Sequence, residues 1–170
     1  PRKQSGADWD MHIPDDGEYT FGDLLARTKS GYDSAITSGL RIERLSSEEI
    51  QKVLPAVHVL CDDAFAENLL FEPIPLQAFQ ALYGEAIAGM PKHYTFLARG
   101  QEDQIAGFLF AFPDRDWLVF KTIAVASDMR GRRLGTALMH AVYREADRAG
   151  LRRFITALVH QDNVSRFLLD

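Results

Sequence analysis

One cysteine, Cys61, is all the chain contains in 170 residues. No internal disulfide is possible, so stability has to come from a packed core. Its setting in a helical apolar pattern, Leu54, Val57, His58, Cys61 and Phe65, suits a buried thiol rather than a catalytic one. Positive charge is also short: Lys and Arg number 19 against 24 Asp and Glu, a net charge of -5. That argues against nonspecific nucleic-acid binding, which needs a basic surface to replace the counterions of phosphate, and weakly favours cationic partners. No apolar run approaches the roughly 20 residues that cross a bilayer. Residues 1–16 are polar and acidic, unlike a signal peptide. No membrane partner is expected, and the expected compartment is the cytoplasm. His58, His93 and His140 have no metal-ligand spacing among themselves or with Cys61, so no metal is assigned. Internal repeats and low-complexity tracts are absent.

What is present is ordinary for a globular domain, with 46% hydrophobic and 25% charged residues, enough to bury one cooperative core. The chain starts at Pro1 and stops at Asp170 in what reads as an unfinished helix, so a trimmed piece or the ordered part of a longer chain is expected. Residues 1–38 carry little periodicity beyond Tyr19, Phe21, Leu24 and Leu25. They read as an N-terminal extension or arm holding one short helix, and the domain proper runs over 39–170.

From Leu40 the text changes. Residues 40–45 alternate apolar and polar, a half-buried strand. Ser46 and Glu49 form a capping box that opens a helix from Ser47 to about Glu67; Pro55 inside it predicts a kink or a break near Leu54. A second helix is expected over 75–89. Strands over 94–99, 104–112 and 117–125, separated by turns at 100–103 and 113–116, predict an antiparallel meander. Leu134, Ala137, Leu138, Ala141 and Val142 lie on one face of a helix over 134–149, stopped by Gly150. A strand over 152–159 then makes strand, helix and strand a crossover with parallel partners. A last helix is expected from near Asn163.

The chemistry sits between the third meander strand and this helix. Residues 126–136 place Arg130, Gly131, Arg132, Arg133, Leu134, Gly135 and Thr136 at a helix start. Amides there lack partners and lie at the positive end of the helix dipole, a setting that holds phosphates. Gly131 and Gly135 let backbone approach a ligand. The three arginines gather positive charge in an acidic chain, and a polyphosphate is their natural counterpart.

This segment resembles motif A of the GNAT N-acetyltransferase superfamily, [RQ]-x-x-G-x-[GA], the pyrophosphate grip for acetyl-CoA. Arg130 matches the first position and Gly135 the last, while Arg133 stands where the pattern has its middle glycine. A second register, Arg132 to Ala137, fits literally, but Gly135-Thr-Ala-Leu-Met139 looks more like the family text after the last glycine. Gly107-Phe108 and Ile123-Ala124-Val125 also look like recurring family positions. The resemblance covers roughly 40–170, and the family's last strands would follow Asp170.

The resemblance implies an α/β fold, a three-layer α-β-α sandwich with a mixed, mostly antiparallel sheet. It also implies pantetheine pairing with the Ile123–Val125 backbone and an oxyanion-stabilising amide from Ile123 or Val125. The family often has a glutamate on the strand before the motif, but 117–125 holds no carboxylate; Asp114 and Asp116 lie in the preceding turn. Its tyrosine acid would fall at Asp170. His160, Asp162 and Asn163 are the polar groups left beside the expected cleft. Of these, His160 and Asn163 are the catalytic candidates, with Asn163 also read as a cofactor contact or simply as a helix cap. Acidic and aromatic residues around the first two helices, Asp62, Asp63, Phe65, Glu67, Phe71 and Glu72, would suit a cationic amine. The reading is an acetyl-CoA-dependent N-acetyltransferase acting on a small-molecule or protein amine, possible as a homodimer; the alternative is a catalytically silent CoA-binding module.

Overall fold

The structure is a computed structural model that describes residues 9–10, 20–67, 71–90, 92–156 and 159–160. Its elements in order are β1 (Trp9–Asp10), α1 (Phe21–Thr37), β2 (Arg41–Arg44), α2 (Ser47–Phe65), α3 (Leu76–Ala88), β3 (Tyr94–Arg99), β4 (Ile105–Asp114), β5 (Trp117–Val125), α4 (Leu134–Arg148), β6 (Arg153–Thr156) and β7 (Val159–His160). The final helix expected from Asn163 lies outside the described residues.

Five strands form one sheet in the order β2-β3-β4-β5-β6. The first three pairings are antiparallel and β5–β6 is parallel. Strand alternation divides the core in two. Tyr94, Phe96 and Ala98 of β3, with Leu109 and Ala111 of β4, face α1 and α4. Leu97, Phe108 and Phe110 face the other way, onto Ile50, Leu54 and Val57 of α2 and Phe79, Tyr83 and Ile87 of α3. Helices therefore cover both faces of a mixed sheet, the three-layer α/β sandwich expected. Among the described residues no helix is long and apolar enough to cross a membrane.

Three departures from the sequence reading matter. α2 is one continuous helix through Pro55, not two pieces. Proline removes one amide bond, and the apolar face around it compensates: Leu54 and Val57 are 0% exposed. The short helix expected in the extension is 17 residues long, opened by a capping box between Thr20 and Asp23. It is no detached arm over these residues, because Phe21, Leu24 and Ala35 are buried in the core shared with α4. Of the strand expected over 152–159, the described residues show β6 in the main sheet and β7 paired with β1, Trp9 opposite His160.

Candidate functional site

β5 carries a bulge. Phe110 faces Thr122, but Ala111 faces Phe120, so Lys121 is an extra residue without a partner on β4. The extra residue resets the alternation. Phe120 points to the α4 core, Thr122 and Ala124 to the α3 side, and Ile123 and Val125 back to the α4 side. Past this bulge, Ala126 N–H donates to Ala106 O at 2.9 Å. Antiparallel pairs alternate between bonded and non-bonded, so the Val125 and Ile123 amides turn away from β4.

They turn toward an edge of β5 that is open among the described residues. Parallel pairing of β5 with β6 runs from Trp117 opposite Arg153 to Phe120 opposite Thr156, and β7 belongs with β1. Among the described residues, 122–125 thus pair on one side only.

A 3-10 turn over Ser127–Met129 carries the chain from β5 into α4. Gly131 has φ +75° and Arg133 φ +59°, so the chain passes twice through left-handed geometry before the helix starts. Arg133 occupies the N-cap position, and among the described residues no side chain caps the helix. The first-turn amides of Leu134, Gly135 and Thr136 therefore stand at the helix's positive end without a capping group. Arg133 replaces the motif's middle glycine at a position that needs positive φ, a conformation costing a non-glycine residue on the order of 1–3 kcal/mol.

Neighbouring elements hold this turn from two sides. From α2, Asp63 Oδ2 accepts from Ser127 N–H at 3.0 Å, and Arg130 Nη2 donates to Ala64 O at 2.9 Å. Arg130 Nη1 also lies 3.5 Å from Glu67 Oε2. From α1, Ser30 Oγ accepts from Arg133 Nη1 at 3.1 Å. Of the carboxylates read as suited to an amine, Asp63 and Glu67 are thus directed at the turn before α4. Asp62 Oδ2 lies 3.5 Å from His58 Nε2, and Phe65 packs on Phe71 with centroids 5.9 Å apart.

On the opposite face of β5, the Tyr83 hydroxyl meets Thr122 Oγ1 at 2.6 Å. Burial pushes the Tyr83 phenol up to about 12, the Thr122 bond opposing it, so it stays protonated at neutral pH. The sequence reading missed both residues; Thr122 beside Lys121 was the available signal, a pair of polar residues in an otherwise apolar strand. Cys61 is buried, and desolvation, with the nearby Asp62 charge, raises its thiol to about 12, an inert group. Trp117 and Phe120 are strand and core residues: Phe120 packs on Tyr143, and Arg153 stacks over Trp117. Asp114 and Asp116 are exposed at the far end of β5.

The structure thus brings Ile123, Ala124 and Val125 into line with the turn from Arg130 to Thr136. The backbone of His160 lies in β7; its side chain, and all of Asp162 and Asn163, lie outside the described residues.

Comparisons with known proteins bear on the fold and the family. Similar folds include the ribosomal-protein-S18-alanine N-acetyltransferase of Escherichia coli, with TM-score 0.58 and 20% identity over 76% of this chain and 74% of that one. A GNAT family acetyltransferase from Brucella melitensis, solved with acetyl-CoA, has TM-score 0.58 and 15% identity over 76% and 82% of the two chains. The PaiA N-acetyltransferase of Thermoplasma acidophilum, solved with coenzyme A, has TM-score 0.59 and 11% identity over 77% and 86%. At such identities they speak to the fold. No curated protein sequence matches closely enough to count as a relative. The family model described as Acetyltransferase (GNAT) family matches residues 57–167, well over half of the 170, and the chain belongs to the GNAT acetyltransferase family.

Proposed function

We propose that this protein transfers the acetyl group of acetyl-CoA to a primary amine by direct attack. The observation that carries the reading is the alignment of two sets of backbone groups that have no partner among the described residues. The uncapped first turn of α4 follows directly from the β5 edge on which the Ile123 and Val125 amides turn outward.

The amides of Leu134, Gly135 and Thr136 suit the pyrophosphate, and Gly131 lets the loop bend around it. Pantetheine runs along the open edge of β5 and brings the thioester to Ile123–Val125. The lone pair of a neutral amine attacks the carbonyl carbon, a C–N bond forms, and negative charge collects on oxygen. An amide N–H of Ile123 or Val125 stabilises that charge. Collapse breaks the C–S bond, coenzyme A leaves as thiolate and takes up a proton, and the amine nitrogen loses one to a base or through water. His160 and Asn163 are the proposed polar groups beside this step. The acceptor class is a small-molecule or protein amine.

The test mixes the chain, acetyl-CoA and a panel of amines (polyamines, amino acids, an aminoglycoside, an N-terminal peptide) and follows release of free coenzyme A thiol. Thiol release that requires both an amine and the protein supports the proposal. Acetyl-CoA binding without release for any amine contradicts transfer and leaves a CoA-binding module.

A further inference from the structure

α1 lies outside the segment 57–167 that matches the family, yet it meets α4 at the turn that would hold the cofactor. Four contacts descend one face of α4. Arg133 Nη1 donates to Ser30 Oγ at 3.1 Å. Gly31 comes so close to the first helical turn that a Cβ there would lie 3.1 Å from Thr136 Cγ2 and 3.6 Å from Arg133 Cβ. His140 Nδ1 is 2.9 Å from Thr28 Oγ1, and its ring stacks on Tyr32 with centroids 4.8 Å apart. Arg144 lies over the same Tyr32 ring at 5.7 Å. A glycine at the crossing lets the helices touch where α4 begins, and a larger residue would hold them apart.

The three arginines of the motif then divide their work. Arg130 is committed to the end of α2 and Arg133 to α1. Among the described residues the Arg132 side chain makes no hydrogen bond or ion pair, though it is exposed on the same turn. Arg133 is also the residue that must hold positive φ without being glycine. A side chain fixed at its far end restricts the backbone it hangs from, which makes the strained conformation the one populated.

We propose that Ser30 and Gly31 of α1 are positioning residues for the cofactor turn, acting through Arg133 and Thr136, and that Arg132 is the arginine left to meet phosphate. This rests on the acetyl-CoA reading above. In this chain the motif's missing glycine is replaced by an arginine and an anchoring helix together.

The test is acetyl-CoA affinity, by calorimetry on the full chain, for Ser30→Ala, Arg133→Ala, Arg133→Gly and the double variant Ser30→Ala/Arg133→Gly. Ser30→Ala is expected to weaken binding about three- to tenfold through loss of one charged hydrogen bond, and Arg133→Ala at least as much, with melting temperatures near wild type. Arg133→Gly is expected to restore near-wild-type affinity, because glycine takes positive φ unaided, and Ser30→Ala should then cost nothing further. Equal losses for Arg133→Gly and Arg133→Ala would mean that its guanidinium touches phosphate, and would overturn the proposal. So would an unchanged Ser30→Ala.

A ligand-free arm separates this from failure of the cofactor reading. Hydrogen exchange at the Ala137 amide, which bonds Arg133 O at 3.0 Å, should quicken in Ser30→Ala but not when Arg133→Gly is also present. If wild type bound no acetyl-CoA, that exchange pattern would still support or refute the anchoring.

Discussion

Gly107 gives the most direct handle on how the sheet sets the cofactor turn. It lies in β4 beneath the start of α4, where an added Cβ would stand 3.0 Å from Leu138 Cδ1, 3.3 Å from Leu134 Cδ2 and 3.3 Å from Ala124 O. Leu138 Cδ1 is the end of a side chain that can rotate, whereas Ala124 O is backbone in a paired strand. Leu134 and Leu138 are themselves packed in the core, so unless their ends give by a few tenths of an ångström the first turn of α4 rises, carrying the Leu134 and Gly135 amides with it. Overpacking a core costs about 1–3 kcal/mol, and replacing a strand glycine returns about 0.5–1 kcal/mol of chain entropy. Gly107→Ala is thus expected to destabilise by up to about 2.5 kcal/mol, a fall in melting temperature of up to about 10 °C for a domain this size, and to weaken acetyl-CoA binding. Leu138→Ala alone should cost about 2–5 kcal/mol, since Leu138 is fully buried. In the double variant the new methyl enters the vacated space, so the costs should sum to less than the two singles. Denaturant titration gives the stabilities and calorimetry the affinity. A Gly107→Ala protein as stable as wild type with unchanged affinity would refute the claim that this contact sets the height of α4.

Three further outcomes follow from the site. Tyr83→Phe removes the bond that pins the bulged strand one residue from Ile123; it should cost about 1 kcal/mol in stability and lower kcat more than acetyl-CoA affinity, and equal losses would make the pair purely structural. Asp63→Ala frees the Ser127 amide and should weaken acetyl-CoA binding severalfold while moving stability by no more than about 1 kcal/mol; unchanged binding would remove α2 from the turn's support. Burial, then Arg144 and Lys29, hold His140 below its ordinary 6.5 despite Asp33, and burial, then Arg44, do the same for His93. Protons then prefer the unfolded chain, so stability is full above pH 6.5 and falls as pH drops below it. Denaturant titrations from about pH 7.5 to about pH 5 should show this slope, and His140→Gln should flatten it; an unaltered slope would exclude His140 as a source.

Much of the domain was readable because its signals are local. β3 and β5 fall on 94–99 and 117–125, the residues read as meander strands between turns, and α4 begins at Leu134 after the glycine- and arginine-bearing turn. The Ile123–Val125 backbone fell in line with that turn because both belong to one continuous stretch. The length of α1 was not legible, since its contact face is built from Thr28, Gly31, Tyr32 and Ala35, small or polar residues that make no apolar stripe. Pro55 marked a break that tertiary packing overrode. The bond between Tyr83 and Thr122 joins residues 39 apart, and the Ser30 anchor of Arg133 spans 103. No window along the chain contains either pair. The pairing of β7 with β1 rests on two residues a side, too few for a periodic signal.

The central claim is that the first turn of α4 and the open edge of β5 bind acetyl-CoA, and thermal melting of the purified chain with acetyl-CoA, CoA, ATP or no ligand tests it most directly. Binding to the folded state raises the midpoint by mass action, about 2.7 kcal/mol at ligand a hundredfold above Kd. Acetyl-CoA and CoA should raise it and ATP should not, because only the former carry the pantetheine proposed to lie along β5. An equal rise with all three, or none with any, would contradict the account.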